Sequence, residues 1–87
     1  MQIPERAVYR RKEVMGITKL DGRVLDFWER EFPDITPKAQ KDGEKIYSRK
    51  DLMLILQIRK WMVEERFSRQ EVKRLLAEHG GHLPAEE

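Results

Sequence analysis

The fold of this chain is decided between Tyr9 and Ser48, and the centre of that stretch reads Leu25-Asp26-Phe27-Trp28-Glu29-Arg30-Glu31-Phe32-Pro33. Apolar residues recur there at spacings of three and four, which predicts a helix with one buried stripe. Asp21 is suited to cap the first turn of this helix, and Pro33 ends it. The predicted stripe consists of Val24, Leu25, Trp28 and Phe32, which leaves Arg23, Asp26, Arg30 and Phe27 outward or on the flank.

A shorter helix is predicted just upstream, from Arg10 to Met15, with Val14 and Ile17 facing inward. We expect Gly16 to end it, because glycine readily adopts the left-handed conformation found at helix C-termini. The two helices would then be joined by a tight connection. This arrangement predicts a helix-turn-helix, in which the second helix is free to enter a groove of a duplex.

β-Compatible segments follow the central helix at Ile35-Thr36-Pro37 and Lys45-Ile46-Tyr47. Between them Asp42-Gly43 is a two-residue turn signal, so we expect a short two-stranded hairpin. Its lysines suit a wing that contacts a nucleic-acid backbone, although a solvated loop has the same composition. The order helix, turn, helix and wing can place one helix and one loop on a duplex together.

A third helix is predicted from about Arg49 to Arg66, with Ser48 and Asp51 in a capping arrangement at its start. It carries more apolar surface than one amphipathic helix of a small domain usually needs. Either the helix is deeply buried, or part of it is a surface for a partner. The residues that widen its apolar face are Met53, Leu54 and Trp61.

The last helix begins at Phe67-Ser68, where Ser68 and Glu71 form a capping box. Gly80-Gly81 is expected to end it. The predicted organisation is therefore an N-terminal arm at residues 1–8, one domain at residues 9–79 and a tail at residues 80–87.

The composition is that of a small, densely charged protein without cysteines, which therefore cannot form disulfides. The 87 residues suffice for one small domain, and charged residues make up 39% of them. The absence of cysteine fits a reducing cytoplasm. No apolar run approaches the roughly 18 residues of a membrane span. Lys and Arg exceed Asp and Glu by 3 in residues 1–50 but fall short by 1 in residues 51–87. An anionic partner is therefore expected at the predicted helix-turn-helix.

The sequence predicts neither an enzyme nor a metal or cofactor site. Ser48 and Ser68 are explained as helix caps and have no histidine close in sequence. No phosphate-binding glycine loop or dinucleotide fingerprint is present. His79 and His82 are close in sequence, but they lack a third ligand.

These motifs together resemble the DNA-binding domain of the MerR family of bacterial transcriptional regulators, over about residues 8–79. The resemblance implies a mainly α, winged helix-turn-helix fold with a small two-stranded wing and two supporting C-terminal helices. It also implies double-stranded DNA as the partner, a cytoplasmic location, no membrane and no small-molecule effector site in this chain. The residues that carry it are Tyr9, Glu13, Val14, Ile17, Thr18, Leu25, Trp28, Glu29, Gly43, Tyr47, Ser48, Asp51 and Leu52.

By position, the resemblance places a set of basic and polar side chains near the duplex. Arg23 lies in the first turn of the second helix, where its guanidinium is suited to a guanine edge. Lysines and the Tyr47 hydroxyl would meet phosphates, which set register and affinity. The predicted DNA-binding residues are Arg10, Arg11, Lys12, Lys19, Gly22, Arg23, Asp26, Phe27, Arg30, Lys38, Gln40, Lys41, Lys45, Tyr47 and Arg49.

Two departures from the family pattern leave alternatives open. Asp26-Phe27 stands where the family usually has Arg-Tyr, and Lys45 stands where the wing usually has arginine. Asp26 either accepts a hydrogen bond from a cytosine amino group and changes specificity, or weakens DNA binding. In addition, family members usually continue into a long dimerising helix and an effector domain, so we expect an isolated DNA-binding domain or a short member.

The same fold suits two other roles. One is a protein-interaction module with weakened DNA binding, and the other is an excision-type architectural factor that bends DNA. A homo-oligomer or a partner protein would engage the helix that carries Met53, Leu54 and Trp61.

Overall fold

The computed structural model describes residues 6–79, and every statement below about structure refers to them. The strands are β1 (Val8–Arg10), β2 (Lys38–Ala39) and β3 (Lys45–Ser48). They form one antiparallel sheet in the order β1-β3-β2. The helices are α1 (Arg11–Thr18), α2 (Gly22–Glu31), α3 (Arg49–Arg59) and α4 (Arg69–His79), with a π-helical turn at Lys60–Glu64 after α3.

The chain divides into two compact units, Met1–Leu52 and Met53–Glu87, and the division falls inside α3. Both units bury apolar side chains. The buried hydrophobic residues of the first unit are Tyr9, Val14, Leu20, Leu25, Trp28, Phe32, Ile35, Tyr47 and Leu52, and those of the second are Leu54, Ile55, Ile58, Trp61, Val72 and Leu76.

Helix α1 is longer than the sequence predicted. It continues through Gly16 to Thr18, and Lys19 takes the left-handed conformation (φ 61°) that was expected of the glycine. The Thr18 hydroxyl donates to the Val14 carbonyl oxygen at 2.7 Å, and both residues are buried on the same face. Burial of Thr18 therefore extends the helix by most of a turn, which overrides the weak stop signal at Gly16.

Helix α2 has the cap and the buried face that the sequence predicted. The Asp21 side chain accepts hydrogen bonds from the backbone amides of Arg23 and Val24, at 2.9 and 3.0 Å. Leu25, Trp28 and Phe32 are buried, and Phe32 ends the helix by donating its backbone N–H to the Trp28 carbonyl oxygen. Only residues 19–21 separate α1 from α2, so the two form a helix-turn-helix.

The sheet differs from the predicted two-stranded wing in three ways. The first wing strand is β2, Lys38–Ala39, instead of residues 35–37. Its loop has three residues instead of two: the backbone N–H of Gly43 (φ 86°) donates to the Gln40 carbonyl oxygen, and the backbone N–H of Gln40 donates to the Glu44 carbonyl oxygen. This is the pattern of a tight turn followed by a left-handed glycine. The third difference is β1, which takes Val8 out of the predicted arm and pairs Tyr9 with Tyr47.

Asp51 ties the start of α3 to the chain that precedes the wing. Its carboxylate accepts from the backbone amides of Thr36 at 3.0 Å and Ser48 at 3.1 Å. The Asp51 amide in turn donates to the Ser48 hydroxyl at 3.0 Å, which completes the predicted cap. Asp51 is 3% exposed, so no water can replace either bond without rearrangement.

We expect Asp51→Ala to lower the free energy of unfolding by about 2–3 kcal/mol, because it leaves two backbone donors without their charged acceptor. Urea unfolding followed by circular dichroism measures the change. Asp34→Ala, at an exposed position, is the control and should change it by less than about 0.5 kcal/mol. Equal effects of the two substitutions would contradict this role for Asp51.

The third helix ends earlier than predicted, and its last turn is π-helical. After Arg59 the chain forms one π-helical turn, in which the Glu65 amide donates to the Lys60 carbonyl oxygen. Each residue of such a turn advances less around the axis, so the predicted apolar face is not continued. Trp61 in this turn is buried, whereas Val63, two residues later, is 50% exposed. Arg66 then takes a left-handed conformation (φ 57°) that ends the segment.

Burial also decides between the two interpretations of the broad apolar face of α3. Leu54 is 4% and Trp61 5% exposed, and Met53 is half-buried. These side chains are therefore not available as a partner surface in this structure, and the excess apolar surface serves the interior.

Helix α4 begins with the predicted capping box. The Glu71 amide donates to the Ser68 hydroxyl, and the Ser68 amide donates to the Glu71 carboxylate, both at 3.1 Å. Hydrogen bonding from the Ser68 backbone, helped by its hydroxyl, lowers the pKa of Glu71. The predicted helix end at Gly80-Gly81 and the predicted tail lie outside the described residues.

We expect an NMR titration to place the pKa of Glu71 below the ordinary value of about 4.3. Because the folded pKa is lowered, the stabilisation is present above the unfolded pKa and is lost as the pH falls through the folded one. In Ser68→Ala, without the hydroxyl and with a looser cap, the pKa of Glu71 should rise towards its ordinary value. An unchanged pKa in that variant would show that the box does not set it.

The fold is thus a mainly helical, winged helix-turn-helix with a small antiparallel sheet. No helix among residues 6–79 is both long and apolar enough to cross a membrane.

Candidate nucleic-acid interface

One side of α2 is buried and the other is exposed, and the exposed side is rich in positive charge. Arg23, Asp26, Phe27 and Arg30 follow one another at helical spacings and are all exposed. We refer to these four residues as the outer side of α2. The Arg30 guanidinium lies over the Phe27 ring, 6.0 Å from its centroid, and Phe27 is 37% exposed. The Arg23 side chain has no ion-pair partner within residues 6–79.

Further cations lie exposed in the same unit, in α1, in the turn and in the wing. Their side chains carry no ion pair with any described residue, so each is able to meet an anion without giving up a carboxylate. These are Lys12 in α1, Lys19 in the turn, Lys38 in β2 and Lys41 in the wing loop. Gln40, just before the wing loop, is exposed as well.

Behind the outer side of α2, the Glu29 carboxylate joins three elements. One of its oxygens accepts from the Lys45 ammonium at 2.7 Å, and the other accepts from the Tyr47 hydroxyl at 2.6 Å. The Arg11 guanidinium donates to the second oxygen at 3.3 Å. The Glu29 side chain is only 9% exposed, so this carboxylate connects α2 to α1 and β3 in a largely dry environment.

Arg11 makes three further contacts, which fix its guanidinium in place. One terminal nitrogen donates to the Tyr47 hydroxyl at 3.0 Å, and the other donates to the Asp26 carboxylate at 2.7 Å and to the Gly22 carbonyl oxygen at 3.0 Å. A Cβ added at Gly22 would lie 3.2 Å from the Arg11 guanidinium, so a side chain there would crowd this contact. We call Arg11, Asp26, Glu29, Lys45 and Tyr47 the Glu29 cluster.

The charges of the Glu29 cluster balance, since two cations face two carboxylates. Burial, together with the hydrogen bond to Glu29, raises the pKa of the Tyr47 hydroxyl far above its ordinary value. Burial alone would lower the pKa of Arg11, but its interactions with Tyr47 and Asp26 outweigh this and raise it. The tyrosine is therefore neutral and the arginine charged at any physiological pH.

Some of the predicted DNA-binding residues are bonded to other side chains of the protein, and others are exposed. Arg11, Lys45 and Tyr47 lie in the Glu29 cluster, where each is bonded to a carboxylate or to another member of the cluster. The Arg49 guanidinium donates to the Tyr9 hydroxyl at 3.2 Å. The remaining predicted residues with exposed side chains are Arg10, Lys12, Lys19, Arg23, Asp26, Phe27, Arg30, Lys38, Gln40 and Lys41, of which only Asp26 also belongs to the cluster.

The sequence did not indicate the role of Glu29. It belongs to the Trp28-Glu29 motif, but its partners Arg11, Lys45 and Tyr47 are 16 to 18 residues away in the chain. The available signal was its position on the flank of the buried stripe, four residues after the buried Leu25. A carboxylate there must find a cationic partner or remain near water.

No cluster of three or more potential metal ligands occurs within residues 6–79. The ring of His79 instead stacks on the indole of Trp61, with the ring centroids 6.2 Å apart. His82, the other member of the histidine pair considered above, lies outside the described residues.

A comparison with protein families finds a match that covers most of the chain. The family described as MerR HTH family regulatory protein matches residues 9–79, which include α1 to α4 and both strands of the wing. No curated protein sequence matches the chain significantly.

Proposed function

Because the chain belongs to the MerR helix-turn-helix family of regulatory proteins, we propose that it binds double-stranded DNA sequence-specifically and thereby regulates transcription. The location that goes with this role is the bacterial cytoplasm. Regulators of this family are generally not enzymes, and the proposal includes no catalytic step.

The proposal rests mainly on the exposed arginines of the outer side of α2. Helix α2 has ten residues, so it is about 15 Å long, and the major groove of B-DNA, about 12 Å wide, accepts one helix. Two arginines of its outer side, Arg23 and Arg30, are exposed, while its inner side is held by the buried Trp28 and Phe32. A rigid helix with outward cations at its tip and side meets the requirements of a groove-binding element.

The side chains then divide by task. Arg23, in the first turn of α2, is placed to contact a base edge. Guanine offers two acceptors there, which match two N–H donors of the guanidinium. The exposed lysines of α1, the turn and the wing would bind phosphates on either side of the groove. Four to six such contacts would give a slope of about −4 to −5 for the logarithm of affinity against that of salt concentration.

The Glu29 cluster supports this surface in the proposal. Through Glu29, the wing residue Lys45 and the α1 residue Arg11 are both bonded to α2. The distance from the wing to α2 is thereby limited, which would keep both in register with the duplex. Arg11, Lys45 and Tyr47 then contribute to binding mainly by positioning the residues that contact DNA.

The alternative of a protein-interaction module has lost one of its supports. It relied partly on a partner surface at Leu54 and Trp61, and both are buried. The exposed Phe27 has a place in DNA binding, since an apolar ring can contact a thymine methyl group. An excision-type architectural factor would use the same contacts to bend DNA. A bending assay on a bound site distinguishes that role from transcriptional regulation.

Selection from random duplexes, followed by sequencing, tests the proposal. The chain should enrich a defined sequence, and its affinity for that sequence should fall with rising salt at about the slope given above. A shuffled duplex of the same composition is the control and should bind more weakly by at least about 10³-fold. If no sequence is enriched and binding is insensitive to salt, the proposal is wrong.

A further inference from the structure

The outer side of α2 contains one residue whose charge opposes DNA, and the structure gives it a defined setting. Asp26 follows Arg23 by three residues and precedes Arg30 by four, so it lies between two arginines on the same face. Its side chain is 51% exposed. One carboxylate oxygen accepts from Arg11 at 2.7 Å, and the other has no hydrogen bond to a described residue.

Arg11 holds Asp26 in one orientation because Arg11 is itself fixed. Its guanidinium is bonded to Glu29, Tyr47 and the Gly22 carbonyl oxygen, and its side chain is only 25% exposed. A positioned and partly neutralised carboxylate loses little on entering a groove, whereas a free one would be repelled by the phosphates. The remaining oxygen of this half-exposed side chain is then a single acceptor for a group that α2 meets.

On the basis of the proposed function, we propose that Asp26 is a specificity-determining residue that selects cytosine at one position of the binding site. An ionised carboxylate only accepts hydrogen bonds. In the major groove cytosine offers an amino donor, guanine offers two acceptors and thymine offers an acceptor with a methyl group. Adenine offers a donor beside an acceptor, which a carboxylate tolerates poorly. Cytosine is therefore the base that fits.

Substitutions of Asp26 give opposite outcomes for this role and for a simple charge effect. Asp26→Asn keeps an acceptor for Arg11 but replaces the remaining acceptor with an amide donor, which suits the acceptors of guanine or thymine and not the amino group of cytosine. The preferred base at that position should change from cytosine to guanine or thymine, by about tenfold in relative affinity. Asp26→Ala removes the side chain, and it should bind all four bases at that position within about threefold of one another.

The test applies the random-duplex selection to the wild-type chain, to both Asp26 variants and to Asp34→Asn. Asp34 is an exposed carboxylate outside α2, so its variant makes the same charge change without altering the outer side of α2. Asp34→Asn should keep the wild-type base preferences at every position. Thermal unfolding of each variant checks that the fold is retained, and dissociation constants on four duplexes that differ at the selected position measure the preference.

Three results are decisive. A change from cytosine to guanine or thymine in Asp26→Asn alone supports the inference. If Asp26→Asn and Asp26→Ala keep every base preference, and Asp26→Ala only steepens the salt slope by about 0.9, Asp26 merely withholds Arg11 from a phosphate and the inference is wrong. If the wild-type chain itself enriches no sequence, the proposed function fails, which is a different outcome from the second.

Discussion

Replacing Glu29 with alanine is expected to lower the free energy of unfolding by about 2–4 kcal/mol. Removing one partner of a buried ion pair typically costs about 3–5 kcal/mol, because the other charge is left without compensation. Here the cations are partly exposed, with the Arg11 side chain at 25% and that of Lys45 at 42%, so solvent reduces the effect. The Tyr47 hydroxyl, however, is held in a buried residue and loses its acceptor.

Chemical denaturation measures this loss, and two variants control it. Asp34→Ala removes an exposed carboxylate and should change the stability by less than about 0.5 kcal/mol. Glu29→Gln keeps the shape but not the charge, and it should lie between the wild type and Glu29→Ala. A loss below about 1 kcal/mol in Glu29→Ala would mean that the Glu29 cluster does not join α2 to the wing.

The dependence of the free energy of unfolding on pH above about 10 tests the same cluster. Since the pKa of Tyr47 is raised in the folded state, its contribution to stability is complete below the unfolded pKa of about 10 and declines as the pH rises beyond it. In Glu29→Gln the pKa of Tyr47 should fall towards its ordinary value, although burial keeps it raised. Absorbance of tyrosinate as a function of pH follows this change, provided that unfolding is monitored in parallel.

Replacing Arg23 with alanine is expected to weaken binding to the selected DNA by about 10- to 100-fold. A good arginine contact to a guanine edge is worth about 1–3 kcal/mol of discrimination, and each 1.4 kcal/mol is a factor of ten. The loss should be specific, so that the variant tolerates other bases at one position while its salt slope changes little. Fluorescence anisotropy with the selected duplex and its single-base variants measures both quantities.

Arg74→Ala is the matched control for Arg23. It removes the same charge from an exposed helix surface in α4, where Arg74 pairs with Glu78 one turn later. Its effect on affinity should stay within about threefold. If Arg23→Ala weakens binding no more than Arg74→Ala does, α2 does not read the bases through its first turn.

The sequence was sufficient wherever a local signal agreed with burial. The period of α2, the cap at Asp21 and the capping box of Ser68 and Glu71 are all local, and each is found in the structure. By contrast, β1 has only three residues, and its partner strand is nearly 40 residues away. So short a segment has no local pattern that predicts a strand, and only its pairing with β3 identifies it as one.

The site could be predicted only in part, because charge alone does not reveal which cations are already paired. Arg11 and Lys45 resemble the other basic residues in sequence, but in the fold both are bonded to Glu29. The pairing depends on contacts between α1, α2 and β3, which no local pattern encodes. Exposure, by contrast, followed from helical periodicity, so the outer side of α2 was predicted correctly as a surface.

NMR titration of the labelled chain with the selected DNA shows whether the outer side of α2 meets the duplex. The backbone and side-chain signals of Arg23, Phe27 and Arg30 should change most, followed by those of the wing at Lys38 and Lys41. Signals of the buried residues Val14 and Leu52 should change least. Signals of the outer side of α2 that stay unchanged while DNA is bound would show that α2 does not meet the duplex.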